Sequence, residues 1–203
     1  DNNFAWSYNG NITDSDMRRA VQARGGSVTG VFRFTHMWNY GKRNASLMDL
    51  HVFMPGSFHE TRPGDHYSTG RRVGWNHRSD GLSGGIQDVD YTSAAPVGHV
   101  PVENITFPDL SRMPDGEYRC KIHNWTLRQP TEGGFKAEIE FGGQVFEYEY
   151  DRPLANKEWV DVATVTLKAG VFTIQHHLPC GQQSKDLWGI KTETFIPVQT
   201  VMN

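Results

Sequence analysis

Residues 135–150 read FKAEIEFGGQVFEYEY, and this stretch decides the fold class. Apolar and polar residues alternate on both sides of Gly142 and Gly143, which is the pattern of two half-buried β-strands joined by a tight turn. Residues 168–170, KAG, are a second turn signal of this kind, so the last four predicted strands form two hairpins. The chain is therefore predicted to contain mainly antiparallel β-structure.

The same period-two pattern runs from Val28 to Trp38, with Arg33 and Thr35 on the face opposite the apolar residues. Further strands are predicted at 47–53, 72–75, 86–91, 100–107, 116–125, 135–141, 145–150, 158–167 and 171–175. Many short strands separated by turn residues are typical of a β-sandwich or barrel. We predict an all-β fold: a jelly-roll-like antiparallel β-sandwich with a short N-terminal helix.

The helix is predicted from the run TDSD at 13–16, with Thr13 as the cap and acidic residues in the first turn, and Gly25 and Gly26 would end it. Residues 1–26 form an N-terminal segment with this capped helix. The β-sandwich domain is assigned to 27–178, and 179–203 are interpreted as a C-terminal extension or a linker to a further module.

The composition of the chain argues against two classes of partner. A chain of 203 residues with 37% hydrophobic content can bury one sizeable core. A formal charge of -3 and a pI near 6.3 leave no basic footprint, so no nucleic acid is expected as a partner. No apolar run approaches the roughly 20 residues that cross a bilayer, so no membrane insertion is expected either. Cys120 is interpreted as a buried hydrophobe, with a disulfide to Cys180 as the alternative.

Four carboxylates lie inside short apolar segments: Asp49, Asp88, Asp90 and Glu103. Charge in such segments is costly unless something binds it, and calcium takes oxygen ligands gathered from separate loops. Residues two apart on a strand share a face, so Asp49 pairs with His51 and Asp88 with Asp90. The sequence predicts these four carboxylates as metal ligands, with calcium as the cofactor. The alternative is a scaffold of hydrogen-bonded turns without an ion.

A long segment between Pro55 and Ser83 is rich in Gly, His and Arg and has little periodicity. Long loops in compact domains are commonly functional, so the recognition surface is predicted here. Exposed aromatic rings could stack on sugar faces or anchor a protein partner. The predicted ligand-binding residues are His51, His66, Tyr67, Arg72 and Trp75. Five aromatic residues on the strands are predicted to be core: Trp38, Trp125, Phe141, Tyr148 and Trp159.

The sequence contains no motif that is typical of a zinc site or of a catalytic centre. Nine histidines are present, but none has the compact spacing of a zinc motif, so they are interpreted as isolated solvated or core residues. The chain has no Gly-x-Ser-x-Gly elbow, no phosphate-binding glycine loop and no His-Glu-x-x-His. A glycosidase pair among Asp88, Asp90 and Glu103 is the remaining enzymatic interpretation. Their place in strands with ordered turns favours a structural role, and the chain is predicted not to be an enzyme.

Four motifs in order resemble a known family: DLHV at 49–52, SGGIQDVD at 83–90, VENI at 102–105 and PDGEY at 114–118. They are similar to the YfaP-like family of β-sandwich domains of unknown function. Its signature runs Asp-x-Asp-Leu-His-Val, Gly-x-Leu-Asp-x-Asp, Pro-Glu-Asn-Ile and Pro-x-Gly-x-Tyr. The resemblance covers roughly residues 28–178.

The resemblance implies a jelly-roll-like sandwich of a secreted, envelope or phage-associated protein, with no established reaction. An extracellular, envelope or virion location is therefore favoured over a cytoplasmic one. The chain departs from the family pattern at Leu47, where the family has its first Asp, and at Val102, where the family has Pro. The first departure removes one possible oxygen ligand.

Two functions are predicted from different classes. The first is a non-enzymatic binding module that recognises a glycan or a protein surface through the long loop, which the carboxylates organise. The alternative is a structural component of a virion or envelope assembly that joins neighbouring subunits through its termini. The tail Leu187–Val201 supports the alternative, because alternating apolar residues without a partner suit an edge strand that pairs with another chain.

Overall fold

The computed structural model describes residues 15–40, 43–57, 71–93, 99–128, 132–184, 186–187 and 190–191. One helix is described, α1 (Asp16–Ala23), besides a 3-10 turn at Leu110–Arg112. The strands are β1 (Phe32–Trp38), β2 (Leu47–Phe53), β3 (Arg72–Val73), β4 (Ile86–Val89), β5 (Val102–Phe107), β6 (Gly116–Thr126), β7 (Phe135–Phe141), β8 (Gln144–Tyr150), β9 (Trp159–Lys168), β10 (Val171–His176), β11 (Cys180–Ser184), β12 (Asp186–Leu187) and β13 (Ile190–Lys191).

Two antiparallel sheets form the sandwich. Sheet A has the strand order β11-β8-β7-β1-β5-β4, and sheet B has the order β10-β9-β6-β2-β3. The predicted all-β sandwich with a short helix is thus confirmed. The two predicted hairpins are β7–β8 and β9–β10. Gly142 and Gly143 both have positive φ, 57° and 77°, which is what the tight turn between β7 and β8 requires.

The core lies between the inner faces of the two sheets. Alternate residues of β1, including Phe32 and Phe34, point inward and pack with apolar residues of β2, β5, β6, β7 and β9. Phe32 stacks on Phe107 of β5 with ring centroids 5.1 Å apart. Each such side chain contributes about 1.5–3 kcal/mol by its burial, so this alternation accounts for much of the stability of the sandwich.

The prediction for the strand aromatic residues was partly wrong. Trp38, Phe141 and Tyr148 belong to the core, as predicted. Trp125 and Trp159 do not, because they follow the outward phase of β6 and β9 and remain half-buried on the outer side of sheet B. Period-two alternation places a residue on one of two faces, but it does not say which face a tryptophan takes.

Helix α1 packs on the outer side of sheet A. Ser15, and not the predicted Thr13, caps it by accepting a hydrogen bond from the Arg18 backbone N–H at 3.0 Å. Gly25 follows the end of the helix with φ 75°. A second apolar cluster joins the helix to the sheet; it consists of Met17, Val21, Val28, Met37, Val89 and Val102. The N-terminal segment is therefore part of the packed structure.

Beneath the helix lies a buried ionic cluster that we call the arginine–glutamate network, formed by Arg18, Arg33, Glu138 and Glu140. Arg33 of β1 contacts Glu140 at 2.8 Å and Glu138 at 3.1 Å. Arg18 of α1 reaches Glu140 at 3.3 Å. Opposite charges and hydrogen bonds compensate the burial here, so the network ties the helix to sheet A.

The C-terminal part extends the sandwich. Strand β11 pairs with β8 at the edge of sheet A, so the sheet continues past the predicted domain boundary at residue 178. Most of the predicted tail at 187–201 lies outside the described residues. Cys120 is buried in the core, and both it and Cys180 are free thiols. Within the described ranges, no helix is long and apolar enough to cross a membrane.

Candidate functional site

The pairing of β2 with β6 creates a polar cluster on the outer side of sheet B. Asp49 lies directly opposite His123, and His51 follows on the same face of β2. All three residues are buried: Asp49 is 8% exposed, while His51 and His123 are each 1% exposed. We call these three residues the histidine–aspartate cluster.

The geometry of this cluster suits shared binding of one ion. Asp49, His51 and His123 each offer a ligand atom, and these atoms all lie within 4.8 Å of one another. The Asp49 Oδ2 to His123 Nδ1 distance is 3.9 Å. Two imidazoles and one carboxylate can hold a metal ion, and the same groups could also pass a proton among themselves.

Neighbouring groups hold the imidazoles in place. His123 stacks on Trp159 with ring centroids 4.2 Å apart and an angle of 13° between the planes. His51 lies 4.9 Å from the same indole ring. On its other side, His51 is covered by Gly74, where an added Cβ would lie 2.3 Å from His51 Nδ1. The orientation of His51 thus depends on a glycine at that position.

Hydrogen bonding leaves part of the cluster unpaired. Among the described residues, Asp49 Oδ2 and both ring nitrogens of His51 have no hydrogen-bond partner. Most buried polar side-chain atoms in proteins have at least one partner, so unpaired atoms at one site need an explanation. A site for a ligand is one such explanation.

The electrostatics of the cluster follow from its burial. Burial, together with the nearby Asp90 carboxylate, raises the pKa of Asp49 to about 7, although Lys157 acts in the opposite direction. Burial also lowers the pKa of His51 well below its usual value, and Arg72 contributes to that shift. The His51 imidazole is therefore neutral near pH 7, which is the form that accepts a metal ion or a proton.

Three of the four predicted carboxylate ligands come together at the edge of the sandwich. Glu103 is fully buried, where its Oε2 accepts from the Leu50 N–H at 2.8 Å and its Oε1 accepts from the Tyr91 N–H at 3.2 Å. Burial raises the pKa of Glu103 well above its usual value, and Asp49 and Asp90 raise it further. Asp49, Asp90 and Glu103 are thus electrostatic neighbours.

Asp88 lies elsewhere. Its Oδ1 accepts from the Asn104 side-chain amide at 2.7 Å, and its Oδ2 accepts from the Ser27 N–H at 2.5 Å. The pairing of β4 with β5 shifts register between Gln87 and Val89, which interrupts the alternation that predicted a shared face with Asp90. Asp88 thus holds the segment after α1 against β5 through hydrogen bonds.

The predicted recognition residues have different environments. Arg72 is buried; its guanidinium donates to Asn76 Oδ1 at 2.9 Å and lies 5.8 Å from the Phe53 ring centroid. His51 belongs to the buried cluster. His66 and Tyr67 lie outside the described residues. Trp75 is the predicted residue that reaches the surface, with 37% of its area exposed.

Trp75 occupies the tip of a tight turn. Gly74 and His77 exchange both backbone hydrogen bonds, at 3.1 and 2.9 Å. The Trp75 ring lies 5.7 Å from Trp125, and Lys157 Nζ lies 3.2 Å from the Trp125 ring centroid. We call Trp75, Trp125 and Lys157 the tryptophan edge. It borders the histidine–aspartate cluster, because Trp125 lies 5.9 Å from His123.

Sequence reasoning missed His123 and the outward position of Trp125 and Trp159. The available signal was the alternation in β6, which places Lys121, His123 and Trp125 on the face opposite the apolar residues. This alternation predicts the face of β6 on which His123 lies, but it does not predict which residues of β2 lie beside that face.

No family model, curated protein or solved structure matches this chain. The fold and the cluster define it as an all-β sandwich with a buried polar site on one sheet. The resemblance to the YfaP-like family, the calcium ligands and the location all stay predictions.

Proposed function

We propose that this chain is a non-enzymatic binding module that recognises a glycan at the tryptophan edge on the outer side of sheet B. The supporting observation is Trp75, a large aromatic residue that is held partly exposed at the tip of a hydrogen-bonded turn. Aromatic rings with an exposed face provide apolar contact area for sugar rings at low entropic cost.

The neighbours of Trp75 support the same interpretation. Trp125 supports the indole of Trp75 from the sheet, and the bond from Arg72 to Asn76 stabilises the turn. The ligand surface is therefore built before binding, and preorganisation reduces the entropy lost when a ligand is bound. Lys157 adds a positive charge beside the rings, where it can contact polar groups of a sugar.

A glycan array followed by calorimetry with the best glycan tests the proposal. We expect Trp75→Ala to lower the affinity about tenfold or more, because buried aromatic contacts carry much of the energy of an interface. Leu82→Ala is the matched control, since Leu82 is 70% exposed and lies outside the edge. Equal affinity of Trp75→Ala and the control would overturn the proposal. Binding of a protein but of no glycan would contradict the proposal that the ligand is a glycan.

A further inference from the structure

The histidine–aspartate cluster has a donor set that the calcium prediction did not anticipate. We propose that Asp49, His51 and His123 form a binding site for a divalent first-row transition metal ion such as zinc. The inference goes beyond glycan recognition, and it rests on the buried cluster rather than on the tryptophan edge.

The distances support a shared ion. The three ligand atoms lie within 4.8 Å of one another, and Asp49 Oδ2 lies 3.9 Å from His123 Nδ1. Ligand atoms about 2.1 Å from a tetrahedral zinc ion are about 3.4 Å apart. The three atoms would therefore have to approach one another by about 1.4 Å or less, a shift on the scale of a small side-chain rotation.

The unpaired atoms point to the same site. Asp49 Oδ2 and both ring nitrogens of His51 lack a hydrogen-bond partner among the described residues, although both side chains are about nine-tenths buried or more. In the arginine–glutamate network, Arg33 and both glutamates have charged partners at 3.1 Å or less. Metal coordination would satisfy the atoms of the histidine–aspartate cluster in the same way.

The chemistry of the donors selects the ion. Imidazole nitrogen suits zinc and its first-row neighbours, whereas calcium and magnesium take oxygen ligands. Two histidines and one carboxylate leave a coordination position for water or for an oxygen of a bound ligand. This donor set therefore favours zinc over calcium.

The surroundings hold the donors in place and supply negative charge. Trp159 stacks on His123, and Gly74 packs against the Nδ1 edge of His51, so packing keeps both imidazoles near their present orientations. Asp90 is an electrostatic neighbour of Asp49 and adds negative charge on the side where Lys157 adds positive charge. Outer groups of this kind orient metal ligands and adjust affinity.

The test uses the full chain without an affinity tag, stripped with a chelator and titrated with zinc in competition with a chromophoric chelator. We expect one tightly bound ion per chain. The variants Asp49→Asn, His51→Gln and His123→Gln should each lower the zinc affinity by more than about 100-fold, because loss of an outer group alone costs about 10–100-fold. His177→Gln is the control: His177 bonds to Thr164 on the same sheet, outside the cluster, and its loss should leave affinity unchanged.

A second measurement does not depend on the folding of any variant. Cobalt bound to the unmodified chain should show visible ligand-field absorption of a low-coordinate nitrogen and oxygen site, and it should quench tryptophan fluorescence because Trp159 stacks on His123. The spectrum of hydrated cobalt, without quenching, would overturn the inference. So would folded Asp49→Asn and His51→Gln variants that bind zinc as tightly as the control. Glycan binding by the chelator-treated chain is measured separately, so failure of one proposal is distinguished from failure of the other.

Discussion

The outer sides of the two sheets both bury polar residues, but they do so in opposite ways. On sheet A, Arg33 meets Glu138 and Glu140, and the helix covers the charges. On sheet B, Asp49 and His51 are equally buried, yet atoms of both have no hydrogen-bond partner among the described residues. A buried polar group with a hydrogen-bond or ionic partner is compatible with a stable fold. A buried polar group without such a partner lowers the free energy of unfolding, and it is retained where function requires it. The difference supports the proposal that the binding sites lie on sheet B.

The largest loss of stability is expected from Arg33→Met, which removes one cation of the arginine–glutamate network on sheet A. It leaves Glu138 and Glu140 buried without their nearest cation, and removing one partner of a buried pair costs about 3–5 kcal/mol. We expect urea unfolding to show a loss of this size. Arg19→Met is the matched control, because its pair with Asp16 is exposed and should change stability by less than about 0.5 kcal/mol. A loss no larger than that of the control would contradict a structural role for the network.

Protonation of the buried His36 should lower the free energy of unfolding in acid. His36 is fully buried on the inner face of β1, and burial lowers its pKa from 6.5 to about 3. Between these values the unfolded chain binds a proton that the folded chain does not, so stability is complete above pH 6.5 and is lost as the pH falls. The contribution of one such group is about 1.4 kcal/mol per pH unit.

Asp49 and Glu103 act in the opposite direction, because their raised pKa values let the folded state hold protons that the unfolded state has released. The informative quantity is therefore the difference between the unmodified chain and His36→Leu. We expect this difference in unfolding free energy to change progressively from pH 6.5 towards pH 4, with the variant gaining relative stability. A difference that is constant with pH would show that His36 is not held neutral by burial.

A smaller loss of stability is expected from a substitution of Gly74, which would disturb the packing of sheet B alone. An alanine Cβ would lie 2.3 Å from His51 Nδ1 and 3.0 Å from the Leu50 carbonyl oxygen. We expect Gly74→Ala to lose about 1–3 kcal/mol in chemical unfolding, as overpacking typically does. Gly81→Ala has nothing within 4 Å of its Cβ and should be nearly neutral. Equal stability of the two variants would argue against close packing of Gly74 on His51.

The smallest change in stability is expected for His51→Leu, and it tests directly whether the histidine–aspartate cluster supports the fold. In a chelating buffer, His51→Leu removes an uncompensated imidazole and keeps a similar volume, so the unfolding free energy should stay within about 1.5 kcal/mol of the unmodified chain or rise. The same urea unfolding measures it. A loss as large as that of Arg33→Met would mean that the cluster supports the fold, and the contrast between the two sheets would disappear.

Local patterns predicted much of the fold because they depend on near neighbours in the chain. The alternation in β1 places Phe32 and Phe34 inside and Arg33 outside, as predicted. The glycines at 142–143 predicted the hairpin that the positive φ values show. The register shift in β4, in contrast, interrupts an alternation that the sequence does not reveal, and it separates Asp88 from Asp90.

The sequence by itself determined the two-sheet architecture and the short helix, and it placed Asp49 and Glu103 in apolar strands, where both are buried. Only the tertiary structure decided which polar residues meet. Asp49 and His123 are far apart in the chain and become neighbours through the register of β2 against β6. A shift of one residue would turn either side chain to the other face, and that register is chosen by burial of the whole inner face. Local patterns therefore predict faces, whereas the collective packing of both sheets determines the site.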